Sequence, residues 1–397
     1  MPSYKYSVYN SAKRNNSRGN NRTGGGKRRG DYIDPSRFIA VAKPRADVQY
    51  TAINNFSDFF VEPILHANLT AKGYQTPSPI QDKTIPMALE GKDIIGIADT
   101  GTGKTAAFAV PVIDALIKNP HSKALIVAPT RELAQQIEEE CRSLGKGAGF
   151  SGAVLIGGAS MGPQLRDLRA NPRIVIGTPG RIKDHMERGT LKLQQFNIIV
   201  LDEVDRMLDM GFVADVTEIL DSMAKERQSF FFSATMDRRV ETLIQTFAKD
   251  PETISIKSGD ASENVHQDVV FYGGKTEKMD KLHDILLDEK VSKVIVFDET
   301  QRSVERLGND LLALGFKVDA IHGGKSQGQR QRALEGFKKN KVNILVATDV
   351  AARGIDVADI THVINFSQPQ SYQDYVHRIG RAGRAGKIGH ALTFVNK

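Results

Sequence analysis

The sequence predicts an α/β protein made of two successive parallel-sheet domains, and three observations predict it. From about Phe56 onward, short apolar runs of strand length alternate with helical patterns. That alternation implies a parallel sheet covered by helices on both faces. It breaks once, at the small and polar stretch "KSGDASENV" (257–265), and then resumes. At 397 residues the chain is long enough for two or three domains, each with its own core.

Along the chain, residues 1–50 come first and are basic. They hold eleven Lys and Arg against three Asp, a surplus of +8, while the whole chain carries +7. The remainder therefore balances at −1, and its bulk charge argues for no partner. Ser11–Gly30, "SAKRNNSRGNNRTGGGKRRG", is too poor in apolar residues to offset its ordering entropy, so residues 1–50 are expected to form a disordered basic tail. Such Arg/Gly chains attract phosphate backbones without reading sequence, and a plain solubility tail is the alternative.

The first domain is expected over residues 51–258, with strands at "DIIGIA" (93–98), "KALIVA" (123–128), "GAVLIG" (152–157), "RIVIGT" (173–178), "NIIVLD" (197–202) and "SFFFSA" (229–234). Helical stretches such as "RELAQQIEEECRSL" and "VADVTEILDSMAKE" lie between them. A linker is expected at 259–265 and a second domain at 266–397. Its strands are expected at "KVIVFD" (293–298), "KVDAIH" (317–322), "NILVAT" (343–348), "HVINFS" (362–367) and "HALTFV" (390–395). The single cysteine, Cys141, excludes an intramolecular disulfide and a cysteine-rich zinc site, which suits a reducing compartment. The N-terminus has no apolar leader region and no window approaches the ~20 apolar residues of a membrane span, so a cytoplasmic location is expected.

"DIIGIADTGTGKTAAFAV" places a Gly-rich loop between a strand and a helix, and Ala98–Thr105 fits the P-loop pattern with Ala at its first position. Gly101 and Gly103 let backbone N–H groups curl around a phosphate, with Thr100 and Thr102 in the same cradle. Lys104 would neutralise the β and γ oxygens, and the Thr105 hydroxyl would ligate magnesium.

The stretch "FNIIVLDEVDRML" then has an explanation. An apolar strand ends in Asp202, Glu203 and Asp205, three carboxylates within four positions. At ~4 Å and an effective dielectric near 20, two like charges repel by about 4 kcal/mol, so the cluster needs open solvent or a cation. Ligands of open parallel sheets bind beyond the carboxyl ends of the strands. Asp202 therefore arrives beside the magnesium held at Thr105, and Glu203 is placed to orient or deprotonate the attacking water. Asp205 is left for something other than the metal.

With these motifs in order, the chain from about Phe56 to its end resembles the DEAD-box ATP-dependent RNA helicases, and among them the bacterial RhlE-like group. The resemblance implies two tandem RecA-like P-loop domains, with ATP and Mg2+ as cofactors and an RNA-stimulated ATPase that unwinds short duplexes or remodels RNA–protein complexes. "GYQTPSPIQ" (73–81) resembles the family's adenine-reading motif, which implies that Gln81 bonds the adenine edge, Tyr74 stacks on the ring and Phe56 supports the pocket. "SAT" (233–235) resembles the coupling motif, whose hydroxyls, Ser233 and Thr235, engage Asp205. In "YQDYVHRIGRAGRAG" a helix begins around Ser371 and loosens at Gly380 and Gly383. The resemblance implies that Arg381 and Arg384 project from its end to the γ-phosphate, with His377 linking to the acidic cluster. In "ATDVAARGIDV", Gly354 and Asp356 resemble the second domain's nucleotide contacts.

Further motifs resemble the family's RNA track: Pro129, Thr130 and Arg131 of "PTREL", Gly157 and Gly158, and Thr178, Pro179, Gly180 and Arg181 of "TPGR". In the second domain they are Gln327, Arg330 and Thr348. Hydroxyls, guanidinium groups and backbone N–H suit phosphate and ribose rather than base edges, so binding without sequence preference is expected. Thr130 could instead simply cap the helix that follows it. Val204 stands where the family name spells Ala, which puts two extra methyl groups beside the site. The expected partner is RNA, bound by a monomer that needs no membrane, with protein cofactors left open. An ATP-gated RNA clamp or chaperone and a DNA translocase of the same superfamily are the alternatives.

Overall fold

The computed structural model describes residues 33–42, 50–99, 101–256, 264–352, 355, 357, 359–383 and 387–397. Two sheets, both parallel throughout, organise them. The first has seven strands: β1 (Ile94–Ile97), β2 (Ala124–Val127), β3 (Gly152–Leu155), β4 (Ile174–Gly177), β5 (Ile198–Asp202), β6 (Gln228–Ser233) and β7 (Glu252–Ser255), in the order β3-β4-β2-β5-β6-β1-β7. The second has six: β8 (Val265–Tyr272), β9 (Val294–Phe297), β10 (Val318–Ile321), β11 (Ile344–Ala347), β12 (His362–Asn365) and β13 (Gly389–Asn396), in the order β10-β11-β9-β12-β13-β8.

The central strands are apolar on both faces because helices cover both. Every residue of β2, β4, β5, β9, β11 and β12 is buried. In β6, Phe230 and Phe232 enter one core with Phe108 and Val200, while Phe231 enters the opposite one with Leu201 and Val204. That alternation follows from the two-residue repeat of a strand. The expected strands all appear, and two more join them at the edges, β7 and β8. Val265, expected in the linker, is the first residue of β8. Among the described residues, no helix is long and apolar enough to cross a membrane.

One expectation is corrected. Residues 33–42 were assigned to the disordered tail, yet they fold onto the second sheet. Pro35–Phe38 forms a 3-10 turn capped by Asp34, Phe38 is fully buried, and Ala40 pairs antiparallel with Gln267 of β8. The reason is local: Ile33 and Phe38 supply apolar surface that the Arg/Gly stretch before them lacks, and they join a core with Tyr375 and Ile379.

Candidate active site and nucleic-acid interface

β1 delivers its chain to the P-loop, where Gly101 and Gly103 take φ of 83° and 93°. A side chain at Gly103 would be strained and would put its Cβ 2.4 Å from the Gln81 amide nitrogen. The helix Lys104–Lys118 starts there, and the Lys104 ammonium is buried, donating to the Ala98 carbonyl at 2.8 Å. Gln81, expected on the adenine edge, also bonds the P-loop. Its Nε2 donates to the Gly103 carbonyl at 3.0 Å, and its Oε1 accepts from the Ser78 N–H at 2.8 Å. Ser78 Oγ in turn donates to the Thr102 carbonyl at 2.7 Å, so the helix Pro79–Leu89 braces the P-loop through two side chains.

Phe56 and Tyr74 pack with ring centroids 4.8 Å apart and border a cavity of about 300 Å³ together with Asn55, His66 and Thr70. The Tyr74 hydroxyl donates to Glu140 at 2.9 Å, and burial followed by the Glu140 charge holds its pKa above the usual range for a phenol.

β5 ends at Asp202, on the same edge of the sheet as the P-loop. Asp202 is 2% exposed, and its Oδ1 has no hydrogen-bond partner. Burial pushes its carboxyl up to about 6, opposed by the Lys104 charge and reinforced by Glu203. Glu203 sits in the left-handed region at φ 57° and ψ 53°. Its Oε2 accepts from Arg206 at 2.9 Å in a buried ion pair. Asp205 Oδ2 accepts from both the N–H and the hydroxyl of Thr235, each at 3.0 Å, while the Asp205 N–H donates to Ser233 Oγ at 3.3 Å. Val204 is fully buried in one core with Met207 and Leu208.

An orphaned, buried carboxylate oxygen near an ammonium fits a divalent cation, and the donor chemistry of Thr105 and Asp202 suits magnesium. The described residues hold no group of three acidic or imidazole side chains able to cage a metal alone. Magnesium, which keeps waters and shares phosphate oxygens, needs no such cage.

In the second domain, Ser371 caps the helix Tyr372–Ile379 by accepting from the Asp374 N–H at 3.1 Å, and the helix stops at Gly380. Arg381 does not project from that end. It is 3% exposed, and its guanidinium donates to the Ile355 carbonyl at 2.9 Å. After Gly380 the backbone continues in tight turns, the Arg381 N–H donating to the Arg378 carbonyl and the Ala382 N–H to the Ile379 carbonyl, and Ala382 enters one core with Ile355. Arg381 and His377 border a small pocket with Asp349, Asp374 and Arg378. Thr100, Gly354, Asp356 and Arg384 lie outside the described residues.

The RNA-track residues of the first domain come together. The Arg131 guanidinium lies over the Gly157–Gly158 backbone, so a Cβ at Gly158 (φ 73°) would sit 2.1 Å from it. Arg181 donates to the Ala159 carbonyl at 3.3 Å, with Thr178 as N-cap and Pro179 and Gly180 in the first helical turn. Burial, then the Arg330 charge and finally Arg181 lower the Arg131 pKa, against Glu132. Thr130 caps its helix, accepting from the Leu133 N–H at 3.3 Å, which is the simpler of its two roles. Pro129 is buried just before it, and Thr348 is buried at the end of β11.

Two second-domain residues expected on RNA instead meet the first domain. Arg330 forms a 2.8 Å ion pair with Glu132 without a well-aligned hydrogen bond, and Gln327 donates to Gln135 at 2.9 Å. Glu132 and Gln135 were missed by the sequence reading, though they lie three apart on the predicted helix. Arg378 was missed as well. It holds Asp349 through paired bonds of 2.5 and 2.7 Å and donates to the Ser367 carbonyl. Its place between His377 and Arg381 was the available signal.

The comparisons with known proteins agree with this geometry. Residues 78–243 match the DEAD/DEAH box helicase family and residues 277–386 the helicase conserved C-terminal domain. The chain is 43% identical over 341 residues to the ATP-dependent RNA helicase CshA of Limosilactobacillus reuteri, covering 86% of this chain and 69% of that protein. The structure of S. cerevisiae Dbp5 bound to RNA and ADP BeF3 superposes with a TM-score of 0.75 at 29% identity, covering 86% of this chain and 89% of that one. A DEAD box protein from the hyperthermophile Methanococcus jannaschii gives 0.51 at 40% identity, covering 86% and 93%. The P-loop, the acidic cluster and the two parallel-sheet domains thus have one explanation: this chain belongs to the DEAD-box family of ATP-dependent RNA helicases.

Proposed function

We propose that the two domains each contribute half of one triphosphate pocket and that RNA binding completes it. The chain hydrolyses ATP in an RNA-stimulated cycle that unwinds short duplexes or remodels RNA–protein complexes. The observation that carries the residue-level reading is the buried carboxylate oxygen of Asp202, which has no partner of its own beside Lys104.

Lys104 neutralises the β and γ oxygens of ATP once its ammonium leaves the Ala98 carbonyl. Thr105 and Asp202 would hold magnesium, which supplies positive charge to the phosphates when bound. Glu203 orients the attacking water and takes its proton, while Arg206 fixes the carboxylate. Phe56 and Tyr74 form the base pocket, and Gln81 reaches adenine with the hydrogen-bonding capacity it retains beyond its two bonds to Ser78 and Gly103. Arg381, once its guanidinium leaves the Ile355 carbonyl, and Arg384 stabilise charge on the γ-phosphoryl group; fingers of this type are worth ~10³–10⁵ in rate in other phosphoryl-transfer enzymes. Asp205, Ser233 and Thr235 couple nucleotide state to the RNA track.

Cross-cleft contacts from Arg330 and Gln327 support a closed arrangement. So does the higher TM-score to the RNA- and ADP BeF3-bound relative than to the more identical archaeal one. In the RNA cycle the Arg131, Arg181 and Arg330 guanidinium groups hold backbone phosphates, and ATP and RNA each favour the arrangement the other needs. The reading includes a monomer acting in the cytoplasm. The deciding experiment is the ATPase rate with RNA, with DNA and with neither, for the intact chain and for Glu203→Gln. Stimulation by RNA alone, abolished in Glu203→Gln, is expected; equal stimulation by DNA contradicts the reading.

A further inference from the structure

Residues 33–42 and residues 50–54 each pack against an element that carries one half of the pocket. On the second domain, Phe38 packs on Tyr375 with ring centroids 4.7 Å apart, and the Arg37 guanidinium lies 3.8 Å over the Tyr372 ring. Ile33 and Phe38 share a core with Tyr375 and Ile379 of the helix Tyr372–Ile379. That helix presents Asp374, His377 and Arg378 to the pocket and leads directly into Arg381. The strap is tied down again at Gln267. Ala40 exchanges two backbone bonds of 3.0 and 2.8 Å with it, and the Tyr375 hydroxyl donates to its side chain at 2.9 Å.

On the first domain, residues 50–54 converge on one buried carboxylate. Asp82 Oδ2 accepts from the Tyr50 hydroxyl at 2.6 Å and the Ile53 N–H at 2.7 Å; its Oδ1 accepts from the N–H and the side-chain amide of Asn54 at 3.1 and 2.7 Å. Asp82 adjoins Gln81 on the helix Pro79–Leu89 that braces Gly103 and Thr102 of the P-loop.

We infer that Arg37 and Phe38 are positioning residues for ATP hydrolysis, acting through Tyr372 and Tyr375 on the helix that leads into the arginine fingers, and that Tyr50 and Asn54 do the same for the P-loop through Asp82. Four hydrogen bonds onto one carboxylate exceed what tethering a loose terminus requires. The apolar anchor sits on the helix face turned away from the pocket, where it can set the helix's height and rotation without entering the site. Because fingers act mainly in the transition state, loss of the Phe38 anchor lowers kcat. The P-loop grips ATP in the ground state as well, so loss of the Asp82 anchor raises KM.

The inference rests on the reading of Arg381 and Arg384 as fingers, and Arg384→Ala tests that separately. In the full chain, RNA-stimulated ATPase is measured for Phe38→Ala, Phe38→Leu, Arg37→Ala, Tyr50→Phe and Arg384→Ala, with a thermal melt for each. Phe38→Ala is expected to lower kcat tenfold or more with KM for ATP within threefold of the parent, and Phe38→Leu to recover most of the loss. Arg37→Ala opens no core cavity and so keeps the test valid if Phe38→Ala fails to fold; it lowers kcat about threefold at an unchanged melting temperature. Tyr50→Phe raises KM with kcat retained. The inference is overturned if Arg37→Ala and Phe38→Ala both keep the parent kcat while Arg384→Ala loses activity, and its P-loop half is overturned if Tyr50→Phe keeps the parent KM. If Arg384→Ala also keeps its kcat, the finger reading fails and the proposed route of action fails with it.

Discussion

Glu203 has a backbone conformation that a non-glycine residue adopts at a cost of order 1–3 kcal/mol, and the surrounding core holds it there. Val204 and Met207, both fully buried, lock the turn that follows, and Arg206 fixes the carboxylate. Glu203→Gln preserves the shape and the bond from Arg206 but removes the proposed base. It is expected to lower the RNA-stimulated rate by roughly 10²–10⁴-fold while ATP and RNA still bind, measured by steady-state ATPase and equilibrium binding. Arg206→Ala strands a buried carboxylate, and is expected to destabilise the first domain by about 3–5 kcal/mol in urea titration. Thr235→Ala removes one of the bonds onto Asp205, a charged acceptor, and such bonds are worth about 1.5–3 kcal/mol. Duplex unwinding is expected to fall at least tenfold, with ATP affinity held within a few-fold.

At the level of the element, the buried runs were legible because a strand covered on both faces has to be apolar throughout. β2, β4, β5, β9 and β11 lie within a residue or two of their sequence limits. β7 and β8 were not legible, because an edge strand is covered on fewer sides. "ETIS" keeps one buried position in four, and "VHQDVVFY" carries polar residues at its start. The helix Tyr372–Ile379 starts where the sequence places it and stops at Gly380, the first of the two glycines expected to loosen it, but the burial of Arg381 depends on the Ile355 carbonyl, which no local pattern reveals. A second feature of elements is the imidazole ladder across β8, β13 and β12, where His390 stacks on His266 and on His362 at 5.7 and 4.8 Å. Burial, then the neighbouring His390, push the His362 pKa down to about 4, with Asp288 opposing. The folded pKa lies below the unfolded value, so the stability is present in full above the unfolded pKa of about 6.5. It is lost as pH falls towards 4. The second domain is expected to be about 2 kcal/mol less stable at pH 5 than at pH 8, and His362→Gln is expected to flatten that slope in urea titrations.

For the whole molecule, the proposed function makes each domain alone an incomplete site. The first owns the P-loop and the acidic cluster; the second owns Arg381 and the helix leading into it. Contacts between the domains were the least legible part of the site, because their partners lie far apart in sequence: Arg330 with Glu132, and Gln327 with Gln135. The sequence reading assigned Arg330 and Gln327 to RNA from their motif, while the fold sets them against a helix of the other domain. Both pairs break or rearrange if RNA takes the guanidinium. Glu132→Gln, which leaves Arg330 uncompensated, is therefore expected to tighten RNA binding without ATP about tenfold, measured by fluorescence anisotropy.

The central claim is that ATP and RNA stabilise one shared arrangement of two half-sites. The most direct measurement is the dissociation constant for a short single-stranded RNA, with and without ADP BeF3, on the intact chain and on Arg381→Ala. The account predicts at least tenfold tighter binding with the analogue, an equal effect of RNA on analogue affinity, and loss of both effects in Arg381→Ala. Equal RNA affinity with and without the analogue, or coupling that survives Arg381→Ala intact, would contradict it.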